Sequence, residues 1–525
     1  MKGKNLNIFQ RTALSSPKTS TFDLSHDVKL SFDMGRLVPT SCIDVLPGDK
    51  FNISVENMLR FAPLISPVMH KMTVSTHYFF VPNRIIWPEW EEWITGDSDV
   101  APPAFDLNLV EPGTIADFLG FNNESGDSIE CSPLALAAYM LIYDEYYRDQ
   151  NLQDSIFVPV EPGNFNPLYS FFAQGATARR AWQHDYFTSC LPFAQKGDEV
   201  LIPLGQFTDV DVELKPGTLQ HQTWVQRNTA QNPVPNESLA DWDTNTFAGT
   251  MSSGPNSINL DPNQSLHAKT SELEQEANSI TTLRRAFRLQ EWLERNARGG
   301  TRYIENILAH FGVRSKDARL SRPEYIGGSK QAMTISEVLS TAQTEVTGGE
   351  NPVGQMAGHG ISVGGGNNFS YTASEHGFII GIISVTPDTA YQQGLPRMHT
   401  RTDRLDYAWP TFAHIGEQAV LGQEVYTGAD ADAAYLKSTF GYIPRYSEYR
   451  YMPSRVHGLM KTDLSFWQLA RVFDNAPLLN SAFIECDPSR RIFAVTDPSE
   501  DTIYAHIYNN IRATRKLPKF GTPHL

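Results

Sequence analysis

Two short segments near the start of the chain alternate apolar and polar residues with a period of two. A strand with one face in a core and one in water requires that period. In "DVKLSFDMG", Val28, Leu30, Phe32 and Met34 fall on one side, and Asp27, Lys29, Ser31 and Asp33 on the other. "DKFNISVEN" repeats the pattern with Phe51, Ile53 and Val55, and "LPGD" just before it supplies a turn. "MTVSTHYFFVP", residues 72–82, is rich enough in β-branched and aromatic residues to be covered on both faces. Further strands are expected in 199–205, 209–217, 375–387, 490–497 and 501–510. Helices are expected in 132–151, where Ser132 can cap and Pro133 fits the first turn, and in 281–300 and 301–312, each ended by glycine. A short helix is expected in 465–473.

The chain therefore reads as mainly β with long connections. Its 36 glycines and 33 prolines agree with that, as does an aromatic share of 11%. At 525 residues it exceeds one ordinary domain, so two or three units or one domain with large insertions are expected. Net charge is −16, which excludes a protein that coats nucleic acid with its whole surface. Both ends nevertheless run basic. The first 22 residues hold Lys2, Lys4, Arg11 and Lys18 and no acid, and the stretch after Asp501 holds Arg512, Arg515, Lys516 and Lys519 and no acid. Such ends can meet a polyanion while acidic surface faces away.

Cys42, Cys131, Cys190 and Cys486 are too scattered for a zinc site or a disulfide framework, so reduced thiols are expected. The N-terminus lacks the apolar core of a signal peptide, and no apolar run is long enough to span a bilayer. A cytoplasmic site of synthesis and no membrane insertion follow as expectations.

Motifs for catalysis are weak. Gly360–Gly364 reads G-x-S-x-G, but a nucleophile elbow needs a strand before the serine and a helix after it, and neither flank fits. Glycines lying against another backbone are the expected use. Asp241-x-Asp243-x-Asn245 begins like a calcium loop, but Thr246 stands where the glycine belongs. No metal or other cofactor is expected. "WPEWEEWITG", with Glu89, Glu91 and Glu92, leaves a second reading open: a glycan-binding or carbohydrate-active protein. The densest stretch is Gly441–Met460. Tyr442, Tyr446, Tyr449 and Tyr451 interleave with Arg445, Arg450 and Arg455, which suits either a single-strand platform or a protein interface.

Four long segments carry a family resemblance. They are "FNISVENMLRFAPLISPVMHKMTVSTHYFFVPNRIIW", "NPLYSFFA", "ARGGTRYIENILAHFGVRSKDARLSRPEYIGG" and "FGYIPRYSEYRYMPSRVHGLM". With them the chain resembles the major capsid proteins of the microviruses, small tailless phages with single-stranded DNA, and most of all those of the gokushovirus branch. The resemblance spans nearly the whole chain and is weakest over 216–280.

It implies a viral jelly roll, an eight-stranded antiparallel β-barrel with large loop and helical insertions. It implies sixty copies in a T=1 icosahedral shell, a virion protein with no enzymatic activity. The implied partners are other copies of itself, packaged single-stranded DNA, a small basic internal DNA-binding protein, a scaffolding protein during assembly and a receptor on the bacterial host. The chain then divides into a basic arm (1–22), a discontinuous jelly roll (23–215 and 313–525), a polar insertion forming a three-fold protrusion (216–280), and a helical pair closing it (281–312). In that context the arginine and tyrosine residues of 441–460 are expected at a subunit interface. The eight basic residues of the two ends are expected on the inner, DNA-facing side.

Overall fold

The computed structural model describes residues 18–520 except 98, 164–166, 199, 201–211, 215–223, 226–238, 241–265, 269–279, 340–343, 347–348, 352–355 and 496. These residues divide into two compact units, one running to Lys196 and resuming at Glu294, the other Gly197–Leu293.

The first unit is built on strands β1 (Ser20–Asp23), β2 (His26–Phe32), β3 (Val38–Val45), β4 (Lys50–Phe61), β5 (Met72–Pro82), β6 (Glu324–Ala332), β7 (Thr334–Leu339), β8 (Met356–Thr372), β9 (Gly377–Pro387), β10 (Glu417–Leu421), β11 (Thr439–Pro444) and β12 (Ile503–Arg515). Six of them form one sheet in the order β1–β12–β4–β8–β7, with β2 also paired to β12. Four form a second, β6–β5–β9–β3. Every ladder in both is antiparallel.

The two sheets face each other across one core, and the period-two pattern decides which side chains enter it. Along β4, Phe51, Ile53, Leu59 and Phe61 point in while Lys50, Asn52, Glu56 and Arg60 point out. Along β12, Ile503, Ile507 and Ile511 alternate with exposed Tyr504, Tyr508 and Arg512. Val45, Val74, Tyr78, Phe80 and Ile383 of the second sheet complete the core. Asn509 falls in register with these apolar residues and is wholly buried. Tyr78 Oη donates to its Oδ1 at 2.6 Å and its Nδ2 donates to the Thr40 carbonyl at 3.2 Å, so its amide is paired as burial demands. This bond ties one sheet to the other.

β5 is covered on both faces, as its composition implies. Phe79 and Val81, on the side away from Tyr78, pack in a second core around helix α1 (Leu134–Ile142). α1 is apolar all round and correspondingly buried. It runs straight into a π-turn at Tyr143–Tyr147, which the sequence pattern does not signal.

A third core, with Tyr186, Tyr391, Phe440, Ile443 and Phe483, is built mainly from residues 388–502 and contains little regular structure beyond the β10–β11 hairpin. Two expectations fail here. The helix over 465–473 is only a 3-10 turn at Ser465–Trp467, and the strand over 490–497 is only a bridge from Phe493 to Leu64.

Helices α2 (Ile280–Gly299) and α3 (Tyr303–Phe311) stand where expected, α3 closing at Gly312 with φ +68°. In the second unit, Val212–Leu214 pairs with Leu266–Ala268 and Trp224–Val225 with Leu239–Ala240. The Asp241-x-Asp243-x-Asn245 motif and most of 216–280 lie outside the described residues. No described helix is long and apolar enough to cross a membrane.

Candidate functional site

The 441–460 stretch leaves β11 and turns at Tyr446, a bulky residue at φ +64° in the left-handed region. Neighbours hold it there. Its N–H donates to Gln418 Oε1 at 3.0 Å, its hydroxyl accepts from the Trp409 N–H at 3.2 Å, and the Arg445 guanidinium lies 5.0 Å from its ring centroid. Next to it, Glu448 accepts from Gln418 Nε2 at 2.7 Å and lies 3.5 Å from Arg401 and 3.9 Å from Arg397. Arg401 in turn sits 4.4 Å over the ring of Tyr449 and 5.3 Å from that of Tyr407. Arg298 pairs with Glu417 and donates to the Tyr442 carbonyl at 3.4 Å.

The seven predicted interface residues therefore separate. Tyr442, Arg445 and Tyr446 are used inside the subunit. Tyr449, Arg450 and Tyr451 are exposed, next to Met452 at 69% exposure, and form the outward part. Arg455 lines a cavity of about 200 Å³ with Tyr451, Met452, Met398 and Glu424. Glu424 is almost wholly buried, and desolvation raises its pKa above the ordinary carboxylate range. Arg397, Arg401, Trp409 and Glu448, which shape this region, carry no sequence signal of their own. Their partners lie tens of residues away.

The basic ends also separate. Lys2, Lys4 and Arg11 lie outside the described residues, and Lys18 is exposed. Arg512 stands on the outer face of the six-stranded sheet, opposite Asp23 in the β1–β12 ladder. Lys516 and Lys519 are exposed beyond the end of β12. Arg515 is not grouped with them. Its Nε is 3.1 Å from Asp49 Oδ2, and Nη2 donates to the Asp44 carbonyl at 2.6 Å. Its charge is neutralised within the subunit.

The alternatives lose their geometry. Ser362 is buried in the middle of β8 and donates to the Ala332 carbonyl at 3.1 Å, so it is not at an elbow. The glycines around it make room for neighbours: a Cβ on Gly358 would come within 2.2 Å of the Ser66 carbonyl oxygen. Trp87, Trp90 and Trp93 pack on one another in tilted and edge contacts, with centroids 5.2 Å apart for Trp87–Trp93 and 5.5 Å for Trp90–Trp93, rather than presenting a flat sugar platform. The four cysteines are unbridged, and burial pushes the Cys42 thiol up to about 12. Among the described residues no cluster of histidine, cysteine or acid could hold a metal.

A family model described as capsid protein (F protein) matches residues 13–525. The chain belongs to the microvirus capsid-protein family. It is 34% identical to capsid protein VP1 of Chlamydia phage 1, covering 100% of this chain and 99% of that one. It is 34% identical to capsid protein VP1 of Bdellovibrio phage phiMH2K and 28% identical to that of Spiroplasma virus 4, each over 96% of this chain and 95% of the relative. As a microvirus capsid protein it is a structural component of the virion and not an enzyme.

Proposed function

We propose that this is a major capsid protein that closes, as sixty copies, into a T=1 shell around a circular single-stranded DNA genome. The observation that carries the reading is strand order. Taking the eight principal strands in sequence as β2, β3, β4, β5, β6, β8, β9 and β12, the first, eighth, third and sixth are neighbours in one sheet. The second, seventh, fourth and fifth are neighbours in the other. That interleaving supports the jelly-roll reading, and the large insertions fall between β5 and β6 and between β9 and β12.

Contacts between copies are heterologous and close into rings, so many modest patches suffice for a stable shell. Tyr449, Arg450 and Tyr451 are one such patch. Residues 216–280 form the three-fold protrusion that meets the host receptor. The exposed cations Arg512, Lys516 and Lys519 face the genome. A small basic internal protein supplies charge that an acidic coat lacks, and a scaffolding protein guides assembly in the host cytoplasm.

Electron microscopy of the purified chain tests the reading. Uniform icosahedral particles are expected, and a persistent monomer that binds glycans overturns it. Replacing Arg450 and Tyr451 by alanine is expected to lower particle yield before it lowers DNA content per particle. The opposite order would move this stretch from the interface to the DNA-facing side.

A further inference from the structure

The third core has a recess in its surface, the cavity of about 200 Å³ that Arg455 lines. Tyr186, Phe187 and Tyr391, all buried, form its inner wall, and Met398, Met452 and Val456 stand around them. The frame is held by backbone pairing. Residues 390–391 and 454–455 run parallel, with Arg455 opposite Tyr391. The Val456 N–H donates to the Tyr391 carbonyl at 3.4 Å, and Gln392 Nε2 donates to the Lys461 carbonyl at 3.4 Å. Apolar cavities of about 150 Å³ take up benzene, so this recess has room for one ring.

Its charges are unevenly matched. Both carboxylates of the lining are already engaged. Glu424 accepts from the Leu421 N–H at 3.0 Å and from Tyr186 Oη at 2.9 Å, and lies 3.3 Å from Arg397. Glu448 is held by Gln418, Arg401 and Arg397. Two cations remain. Arg455 and Lys461 line the same recess, and neither side chain has a carboxylate or hydrogen-bond partner among the described residues. His399 and His457, both exposed at the recess, add no negative charge.

Lys461 is exposed, so water answers it. Arg455 is only partly exposed. A guanidinium drawn part-way out of water with five unused donors is costly until an anion meets it. A chain of net charge −16 has acids to spare, yet none is placed here. A carboxylate meets the planar guanidinium fork with two parallel bonds. Met398 and Met452, exposed at 44% and 69%, give the rim an adaptable edge. The fitting ligand is therefore a ring at one end and a carboxylate at the other. An acid of a neighbouring copy would answer the cations, but an Asp or Glu side chain brings no ring into the recess.

We propose that this recess binds a small aryl carboxylate, its ring against Tyr186, Phe187 and Tyr391 and its carboxylate on Arg455, with Lys461 adding attraction from the rim. The proposal does not rest on the shell reading.

The test is calorimetric titration of the purified full-length chain with 3-phenylpropionate, compared with its neutral amide and with propionate, which lacks the ring. The variants are Arg455→Gln and Lys461→Gln, each checked for an unchanged midpoint of urea unfolding. The acid is expected to bind about tenfold tighter than the amide, and tighter than propionate. In Arg455→Gln the acid and the amide are expected to bind alike. Lys461→Gln is expected to weaken the acid by about two- to threefold, an effect that fades with added salt. Equal binding of acid and amide by the unmutated chain removes the role of the cations and overturns the proposal. Propionate binding as tightly as 3-phenylpropionate removes the role of the ring and does the same. Unchanged affinity in Arg455→Gln also overturns it. If that variant does not fold, the acid-to-amide ratio of the unmutated chain and of Lys461→Gln decides. If the acid does not bind and Arg455→Gln alters only particle yield, the recess is a contact between copies and the proposal falls while the shell reading stands.

Discussion

The facing sheets and the segment 388–502 bury aromatic cores of similar character by opposite means. In the sandwich the backbone satisfies itself through ladders, and side chains have only to alternate. In 388–502 few carbonyls have a ladder partner, and arginines supply the donors instead. Arg491 donates to the carbonyls of Ser465, Gln468 and Ala470 at 3.0, 3.1 and 2.7 Å. Arg397 donates to that of Ala419 at 2.7 Å. Arg471, almost wholly buried, donates to the Phe483 carbonyl at 2.5 Å and lies within 5.1 Å of the ring centroids of Trp182, Phe473 and Phe483. Beside it Tyr391 donates to Asp185 at 2.7 Å. The guanidinium's five donors do for an irregular chain what a neighbouring strand does for a regular one.

The contrast can be broken by mutation. Arg471→Ala should have the largest effect, a loss of about 3–5 kcal/mol, because the buried Phe483 carbonyl loses its guanidinium donor and the rings of Trp182, Phe473 and Phe483 lose the cation packed against them. Urea unfolding of the unassembled chain, followed by tryptophan fluorescence with Trp182 as a local reporter, measures it. Ile507→Ala, in the middle of the sandwich core, should cost about 2–4 kcal/mol in the same assay. If Ile507→Ala costs clearly more, the arginine network does not carry the irregular region.

The third test concerns pH. The folded pKa of His77 lies near 4 against an ordinary 6.5, so the unfolded chain takes up a proton that the folded one refuses. Its contribution to stability is complete above pH 6.5 and is lost as pH falls towards 4. His77→Gln should flatten that decline by at most about 2 kcal/mol, read as the midpoint of urea unfolding at pH 7 and pH 4.5. The smallest effect belongs to the exposed pair Lys71–Asp388, 3.2 Å apart at the join of the two regions. Lys71→Ala should change stability by less than about 0.5 kcal/mol.

The same contrast explains what the sequence could reveal. β4, β5, β9 and β12 are legible because period two and β-branched runs are local signals. Residues 465–473 look helical in isolation, yet the Arg471 N–H donates to the Ala390 carbonyl and its side chain is committed to Phe483, contacts that lie far off in sequence. Residues 490–497 look like a strand, but Arg490 and Arg491 are engaged with Asp33 and with carbonyls, and the Ile492 carbonyl and Ala494 N–H meet Ile65 and Pro63 in a single bridge rather than a ladder. The state of His77 was illegible for a like reason: Arg180 and Lys330, the cations that lower its pKa after burial, belong to distant segments. Arg515 shows the converse: its basic neighbourhood is plain in the sequence, while the buried carboxylate that neutralises it is not.

The position of β12 bears on how a shell could exclude defective subunits. This strand lies between β2 and β4 near the middle of the six-stranded sheet, yet it follows them by several hundred residues. Until it is translated, β2 and β4 have no shared neighbour and the core residues Ile503, Ile507 and Ile511 are missing. Pairing at such separation is slow, because loop-closure entropy precedes any gain from contact. A ribosome that stalls early thus releases a chain without a completed sandwich. In such a chain the six-stranded sheet stays open between β2 and β4.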